Sequence, residues 1–250
     1  MRAWGFYNLK GGVGKSSAAV NIAYLAAQAG EHVLLWDLDP QGASTWLMHN
    51  KKGLSVKPKK LLEGKAPIGR VIRTTGYDRL DMIPADFALR NIDLLLKKAG
   101  DENDILKRLI EPCGEQYSMV VLDCPPSLSK LSDNIFQLAD LLAIPLIPSH
   151  LSLRAYDQIH ERVKKANPRP KLCPFYSMID GRRRLHREFL ALPQSSIKGE
   201  IVGRIPYASA VEKMGDHRAP VETYEPNSDA AQAYRLLWKA LRKADKKSQK

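Results

Sequence analysis

Three glycines, a lysine and a serine near the start of the chain have the types and spacing of a phosphate-binding loop. The segment reads NLKGGVGKSS, from Asn8 to Ser17. Glycines allow backbone N–H groups to curl around phosphates, because a side chain there would block the approach. In such a loop Lys15 reaches the β- and γ-phosphates and the Ser16 hydroxyl ligates Mg²⁺. The sequence therefore predicts a nucleotide site directly after the first strand.

A second lysine stands at the mouth of this predicted site. The ordinary loop, G-x-x-x-x-G-K-[ST], uses one lysine, which here is Lys15. Its first glycine would fall at Leu9, and Lys10 follows that departure. Lys10 is therefore a surplus cation that the ordinary loop does not explain.

Three carboxylates follow predicted strands and are candidates for metal and water chemistry. Asp37 and Asp39 belong to the segment DLDPQG, and side chains two residues apart point the same way in an extended chain. One of them can hold the loop or the metal shell while the other orients water. Asp123 ends the apolar run MVVLD, a position typical of a Mg²⁺ shell ligand. The two prolines after Cys124 predict a stiff, extended exit that is suited to sensing a γ-phosphate.

Short apolar strands alternate with helix-length segments along the chain, which predicts an α/β fold. The expected sheet is doubly wound and mostly parallel, with helices on both faces. We expect one domain over 1–250, a surface loop at Lys51–Lys60 and a frayed tail over about 243–250. The expected strands are Ala3–Tyr7, His32–Trp36, Leu80–Ile83, Met119–Leu122, Leu141–Ile147, Cys173–Ile179 and Ile201–Ile205, and the expected first helix is Ser16–Gln28.

The composition indicates a globular chain with a polyanionic partner. Hydrophobic residues make up 44% of the 250 residues, enough for a substantial core, and no apolar run predicts a membrane span. The net charge of +12 is more than an enzyme of free nucleotides needs. It favours nucleic acid as the partner, and an anionic membrane second. The three cysteines, Cys113, Cys124 and Cys173, form no C-x-x-C pair, so the sequence predicts neither a disulfide framework nor a zinc or iron–sulfur site.

Together these motifs resemble those of a known family. KGGVGKSS, DLDPQG and VVLDCPPSLS are similar in spacing and order to the deviant Walker A, A′ and B motifs of the ParA/MinD ATPases, which are P-loop NTPases. The later MIDGR and GRIP segments extend the similarity through most of the chain. DPQG and the DxPPS pattern resemble the ParA (Soj-like) branch.

The resemblance implies an explanation for the surplus lysine. In that family the extra lysine crosses a dimer interface to the partner's ATP, so two subunits sandwich two nucleotides. Lys10, Lys15 and Asp39 would then be the catalytic residues, with Asp39 orienting water and Asp37 supporting the site. The implied ATP contacts are Lys10, Gly11, Gly12, Val13, Gly14, Lys15, Ser16, Ser17, Asn134, Met178 and Pro206, and the implied Mg²⁺ ligands are Ser16, Asp37, Asp39 and Asp123.

The family also implies DNA binding, although this chain departs from its usual pattern. Relatives often carry arginines just after an I-P motif, whereas Ile205-Pro206 is followed here by YASA. The expected DNA contacts are instead Arg182, Arg183, Arg184, Arg187, Lys213 and Arg218.

The implied function is an ATPase that dimerises with ATP, binds DNA of any sequence and partitions or positions a plasmid, chromosome or protein organelle. A ParB-like or other adaptor would stimulate its slow, Mg²⁺-dependent hydrolysis, in the cytoplasm and on the nucleoid. Three alternatives remain open: a MinD-like membrane-positioning ATPase, a metabolic or iron–sulfur-carrying relative, and a nucleotide-gated regulator. The amphipathic stretch AQAYRLLWKALRKADKK fits either a final helix packed on the sheet or a membrane-surface helix.

Overall fold

An eight-stranded sheet forms the centre of the computed structural model, which describes residues 1–100, 103–165, 170–192 and 197–247. The strands are β1 (Arg2–Phe6), β2 (Val33–Asp37), β3 (Arg73–Tyr77), β4 (Leu80–Ile83), β5 (Met119–Asp123), β6 (Leu141–Leu146), β7 (Lys171–Ile179) and β8 (Arg204–Pro206). Their order across the sheet is β3-β4-β2-β5-β1-β6-β7-β8. All neighbours pair in parallel except β3 and β4. The predicted mostly parallel, doubly wound fold is confirmed.

Helices cover both faces of the sheet, because successive strand residues enter separate hydrophobic cores. Leu34 and Val120 lie in one core, while their neighbours Leu35 and Val121 lie in the other. The first core is covered by the helices between positions 92 and 163, and the second by the helices over 15–28 and 229–247. The helices are α1 (Lys15–Gln28), α2 (Ala43–Leu47), α3 (Pro58–Leu62), α4 (Ile92–Lys98), α5 (Ile105–Ile110), α6 (Lys130–Leu138), α7 (His150–Val163), α8 (Arg184–Leu190), α9 (Ser209–Glu212), α10 (Met214–His217) and α11 (Asp229–Lys247).

Two strands differ from the sequence prediction. Strand β3 was not predicted, because its sequence RTTGY lies at the sheet edge, is half-buried and has no apolar run. The last strand was expected over Ile201–Ile205 but begins at Arg204. A register irregularity between Tyr176 and Ile179 of β7 shortens this pairing.

The C-terminal segment corrects the expectation of a frayed tail. Helix α11 continues to Lys247, and its Asp245 is buried and accepts a hydrogen bond from Arg2 Nε at 3.0 Å. The remainder of the tail, 248–250, lies outside the described residues. Trp238 of the same helix packs against Trp4 with ring centroids 5.3 Å apart, so α11 is a helix packed on the sheet, as one of the two interpretations of its sequence predicted.

The predicted loop over Lys51–Lys60 is partly helical, because Pro58 opens α3. Cys113, Cys124 and Cys173 are buried free thiols. None of the helices within the described ranges combines the length and the apolar character that crossing a lipid bilayer requires.

Candidate functional site

Three neighbouring parallel strands bring the predicted loop and carboxylates to one edge of the sheet. Strand β5 lies between β1 and β2, and all three run in the same direction. Asp123 is in register with Phe6 of β1 and with Asp37 of β2. The loop after β1, the DLDPQG segment after β2 and the end of β5 therefore meet where ligands bind in open α/β sheets.

A buried asparagine holds the start of the loop. The Asn8 side-chain amide donates to the Pro145 carbonyl at 2.6 Å, and its oxygen accepts from the Lys10 backbone N–H at 2.9 Å. Asn8 has no exposed surface, so both of these hydrogen bonds are shielded from water. The loop is thus fixed to the end of β6 before any nucleotide arrives.

The ammonium group of Lys15 lies inside the loop. It donates to the Lys10 carbonyl at 3.0 Å, and the residue is only 6% exposed. Burial lowers the pKa of Lys15, while the nearby negative charges of Asp123 and Asp39 act in the opposite direction. A phosphate bound here would replace the Lys10 carbonyl as the partner of the Lys15 ammonium group. That group is largely shielded from water, so a negatively charged partner would stabilise it.

Gly14 permits the turn from the loop into helix α1. Its φ is 90°, a left-handed conformation that side chains rarely adopt. A Cβ at this position would also come within 2.8 Å of Ser177 Oγ. Ser177, near the end of β7, therefore closes the far side of the loop, and α1 starts with its positive end at the phosphate position. Exposed Gly11 and Gly12, buried Val13, and half-buried Ser16 and Ser17 complete the predicted loop contacts.

The Asp37 carboxylate braces the turn that follows β2. One of its oxygens accepts from the Thr45 N–H and hydroxyl at 2.8 and 2.7 Å, and the other accepts from the Asp39 N–H at 3.2 Å. Because both oxygens are already bonded and the side chain is buried, the structure gives Asp37 a supporting role. Its place among the Mg²⁺ ligands stays a prediction.

Asp123 keeps a carboxylate oxygen for a ligand. Its Oδ2 accepts from the Ser44 hydroxyl at 2.7 Å, whereas its buried Oδ1 has no partner among the described residues. Burial and the two carboxylates' mutual repulsion raise the pKa of Asp37, and burial is also the main reason that the pKa of Asp123 is raised. A cation beside Asp123 would give its Oδ1 a partner and would reduce the repulsion between the Asp37 and Asp123 carboxylates.

The residues present fit a Mg²⁺ ion that is held mainly by phosphates. Mg²⁺ commonly binds one or two protein oxygens together with substrate phosphates and water. The Ser16 hydroxyl acts to lower the pKa of Asp123, so a hydroxyl and a carboxylate lie near each other at this site. In the described part of the chain no three His, Cys, Asp or Glu side chains cluster to form an all-protein metal cage.

Asp39 is the carboxylate that faces the solvent side of this site. It is half-buried, its Oδ1 accepts from the Gln41 N–H at 2.9 Å, and its charge acts on both Lys15 and Asp123. The role of Asp39 in orienting water stays a prediction.

Comparison with known proteins identifies the family. The AAA_31 family model, described as an AAA domain, matches residues 1–172. The chromosome-partitioning ATPase Soj of Treponema pallidum is 30% identical over 93% of this chain and 93% of its own length. The chain belongs to the ParA/MinD superfamily, in its ParA (Soj-like) branch.

Solved structures share the fold of this ParA-type chain. A structure of Mycobacterium smegmatis cobyrinic acid a,c-diamide synthase with bound ADP and magnesium is 26% identical, with a TM-score of 0.80 over 98% of this chain and 96% of that one. A Cyanothece McdA–ATP complex is 19% identical, with a TM-score of 0.82 over 96% of each chain, which supports the fold. The ParA-type chain is an ATPase.

Met178 and Pro206, the predicted adenine contacts, lie at the loop's edge of the sheet. Met178 follows Ser177, which closes on Gly14, and it has a φ of 56° at the irregular end of β7. Pro206 is in register with Ile179. The structure therefore brings both residues to the phosphate loop's side of the ParA-type fold.

Asn134 does not face the loop. Its side chain has no exposed surface, and it accepts from the Leu106 N–H at 3.2 Å and donates to the Lys130 carbonyl at 3.2 Å. Asn134 thus ties α6 to α5, and a nucleotide cannot reach it in this conformation. The ATP contact at Asn134 stays a prediction.

The predicted DNA-binding arginines lie together beyond β7, but most are paired with carboxylates. We call Arg182, Arg183, Arg184 and Arg187 the arginine cluster. Two of them share Asp180, at 2.9 and 3.7 Å, and a third pairs with Glu188 at 2.7 Å. The fourth donates to the backbone carbonyls of residues 181 and 182. These contacts neutralise part of the cluster's charge.

The other two predicted DNA contacts are also engaged. Lys213 pairs with Glu225 at 3.0 Å. Arg218 donates to the Trp46 carbonyl at 2.9 Å, and its guanidinium lies 5.0 Å from the centroid of that ring. Arg218 therefore helps to join α10 to α2, and Lys213 is the one of the two that pairs with a carboxylate among the described residues.

Sequence reasoning missed the residues that support the site from behind. Ser44 and Thr45 bind the two buried aspartates, and Asn8 positions the loop. Tyr7 donates to the Ser127 carbonyl at 2.6 Å, linking the residue before the loop to the exit from β5. A polar residue inside or beside an apolar strand was the available signal for Tyr7 and Asn8. Ser44 and Thr45 gave none, because their partners are distant in sequence.

Proposed function

We propose that this ParA-type ATPase partitions a cargo by forming an ATP-dependent dimer that binds DNA without sequence preference. The proposal rests on the site geometry and on the partitioning role named for the Treponema relative. Mg²⁺ is the proposed metal, and an adaptor protein of the ParB type is the proposed activator. The working location is the nucleoid.

The position of Lys10 is the main observation that supports an ATP-dependent dimer. Its N–H is held by Asn8 and its carbonyl by Lys15, so its backbone is fixed at the rim of the loop. The residue is half-buried, and the loop already has its own lysine inside. A γ-phosphate carries more negative charge than one lysine neutralises. We therefore assign the Lys10 side chain to the ATP of a second subunit.

Hydrolysis would use the remaining residues at the same edge. Loop N–H groups and Lys15 would hold the β- and γ-phosphates, and Asp39 would orient a water molecule toward the γ-phosphorus. As the new P–O bond forms, the bond from phosphorus to the β–γ bridging oxygen breaks and ADP leaves. Ser16 and Asp123 would hold Mg²⁺, which neutralises charge on the phosphates when it is bound.

DNA binding would follow from dimerisation. One subunit offers few phosphate contacts, whereas a dimer doubles them and raises affinity through effective concentration. Hydrolysis, accelerated by the adaptor, would separate the subunits and release DNA. The buried apolar face of α11 favours this function over the MinD-like alternative, because that face is packed against the sheet.

The test is Lys10→Ala, examined by light scattering with a non-hydrolysable ATP analogue. We expect the variant to bind nucleotide as a monomer but to remain monomeric where the wild type dimerises. Lys65→Ala, which removes an exposed lysine far along the chain, is the matched control and should dimerise normally. A Lys10→Ala dimer as tight as the wild-type dimer would overturn the sandwich.

A further inference from the structure

Seven basic residues lie in the segment between α2 and β3, a region that the predicted DNA contacts do not include. Between positions 51 and 72 the only acidic residue is Glu63. All of the basic side chains in this stretch are exposed. We call them the lysine surface: Lys51, Lys52, Lys57, Lys59, Lys60, Lys65 and Arg70.

Most of the lysine surface has no carboxylate partner. Glu63 pairs with Lys59 at 3.7 Å and with Lys65 at 2.8 Å. Within the described ranges, the other five cations form no ion pair, and Lys52 reaches only the Pro40 carbonyl, at 3.3 Å. This is the reverse of the arginine cluster, in which three of four side chains pair with a carboxylate.

The segment that carries these cations is ordered by its inner side. Leu61, Ile68 and Val71 are buried in the sheet's hydrophobic core. The Arg73 guanidinium donates to the carbonyls of residues 51 and 53 at 2.7 and 2.6 Å, and the Ser55 hydroxyl donates to the carbonyl of residue 70 at 2.6 Å. The cations are therefore displayed on a folded support, so less side-chain and backbone entropy is lost when a partner binds.

The chemistry of this surface fits a phosphate backbone better than a membrane. Membrane-surface segments combine basic residues with exposed aromatic or aliphatic anchors. No large hydrophobic side chain within the segment itself, positions 48–72, is exposed. The exposed aromatic rings that flank it, Trp46 and Phe87, each lie against an arginine, Arg218 and Arg90 respectively. Repeated, unpaired cations without apolar anchors are instead the footprint of a protein that contacts nucleic acid phosphates.

We propose that the lysine surface is a second binding site for duplex DNA, built into each subunit and independent of nucleotide. This inference deepens the proposed function by naming where phosphates bind. The site is separate from the arginine cluster, because β3 and β7 lie at opposite sides of the sheet. Six strand spacings separate them, or about 29 Å at roughly 4.8 Å each. One subunit would thus hold DNA weakly without ATP, and dimerisation would add contacts to that binding.

The experiment measures duplex DNA binding by fluorescence anisotropy across a salt series, without nucleotide and with a non-hydrolysable ATP analogue. The variant is Lys51→Gln/Lys57→Gln/Lys60→Gln, which removes three unpaired cations and leaves their aliphatic stems. The matched control is Lys239→Gln/Lys243→Gln/Lys246→Gln, three exposed lysines of α11, with the same loss of charge.

We expect weak nucleotide-free binding by the wild type, and a log–log salt slope that is flatter by about two to three units in the variant. The α11 control should change the slope by less than about one unit. Equal changes in the two variants would mean that only net charge matters and would overturn the site. An unchanged slope in the lysine-surface variant would also overturn it, while ATP-stimulated DNA binding, if present, would leave the proposed function intact.

Two further measurements separate the remaining outcomes. Pelleting with phosphatidylglycerol vesicles tests the membrane, and wild-type binding to vesicles with none to DNA would reject the proposal. DNA binding that ignores the ATP analogue but responds to the lysine-surface variant would support this site and count against ATP-dependent DNA binding. Circular dichroism of both triple variants confirms that they are folded.

Discussion

The phosphate loop and the lysine surface both collect positive charge, but they do so in opposite surroundings. Lys15 is only 6% exposed, and its ammonium group is held by a carbonyl inside the loop. The lysine surface is exposed, and most of its cations have no carboxylate partner among the described residues.

This difference determines how each region responds to change. Salt screens exposed charges strongly and buried charges much less. Replacing a single buried residue with fixed partners should therefore change ligand affinity strongly and at any salt concentration. On an exposed surface, each of many side chains contributes a small, salt-dependent part of the affinity. Nucleotide recognition belongs to the first kind and the proposed DNA binding to the second.

Removal of the buried cation should have the largest effect. Lys15→Ala should weaken ATP binding by a factor of about 100, or about 3 kcal/mol, because a charge-assisted contact in a shielded site is lost. Isothermal titration calorimetry at two salt concentrations checks both the loss and its weak salt dependence. An ATP affinity within about threefold of wild type would show that the buried Lys15 contributes no more than an exposed lysine. The control, Lys60→Ala from the lysine surface, should leave ATP binding unchanged.

Loss of the half-buried carboxylate should affect turnover and spare binding. Asp39→Ala should still bind ATP, but hydrolysis should fall by about 100-fold, because an oriented water molecule is no longer activated. Steady-state phosphate release with saturating ATP measures this, and Asp39→Asn is the control that retains the shape. Turnover within about twofold, or about 0.4 kcal/mol, would remove Asp39 from the reaction.

The arginine cluster should behave like the lysine surface, but more weakly. From the sequence, Arg182→Ala/Arg183→Ala/Arg184→Ala should flatten the DNA salt slope by about two to three units if each residue meets one phosphate. Asp180 and Glu188 must be displaced before these arginines can contact DNA. We therefore expect the salt slope to flatten by about two units, less than in the lysine-surface variant. A larger change than in the lysine-surface variant would reverse the ranking of the two surfaces.

The buried carboxylates should make the nucleotide-free protein less stable as pH rises. Both pKa values are raised in the folded state, so the folded state binds protons more tightly than the unfolded chain. The free energy of unfolding should therefore fall between about pH 5 and about pH 8. Urea unfolding across this range measures the fall, and Asp37→Asn, which removes one charge, should flatten it. Stability that rises steadily over this range would contradict the arrangement of Asp37 and Asp123.

The smallest effect should come from the hydrogen bond behind the loop. Tyr7→Phe removes the donor to the Ser127 carbonyl but keeps the ring that packs 5.2 Å from Phe136. We expect a loss of about 1 kcal/mol in unfolding free energy, typical of one hydrogen bond. Thermal unfolding measures it. Phe136→Leu, which disturbs the packing instead, should cost more, and a reversed order would show that the hydrogen bond dominates.

The sequence was sufficient for the parts of this protein that depend on local pattern. The glycine spacing before Lys15, the apolar runs and the carboxylates at their ends predicted the phosphate loop, the parallel sheet and the edge at which they meet. The resemblance of these motifs to ParA/MinD ATPases led to the family that the comparisons confirm.

Only the tertiary structure decided which polar groups are already engaged. Asp37 and Asp123 are similar in sequence context, yet Thr45 and the Asp39 backbone bind the first, while one oxygen of the second has no partner in the described part of the chain. Asn134 was assigned to the nucleotide, but its amide is used between two helices. These differences arise because a side chain's partners come from residues distant in sequence.

The same physical reason separates the two basic regions. As sequence, RRR from Arg182 to Arg184 is a more concentrated charge run than the dispersed lysines between positions 51 and 65. Folding pairs the arginines with Asp180 and Glu188, and it leaves most of the lysine surface unpaired on a buried support. Residue type and spacing thus set the amount of charge and the chemistry of the loop, whereas the fold set which charges remain available, because neutralisation depends on distance in space.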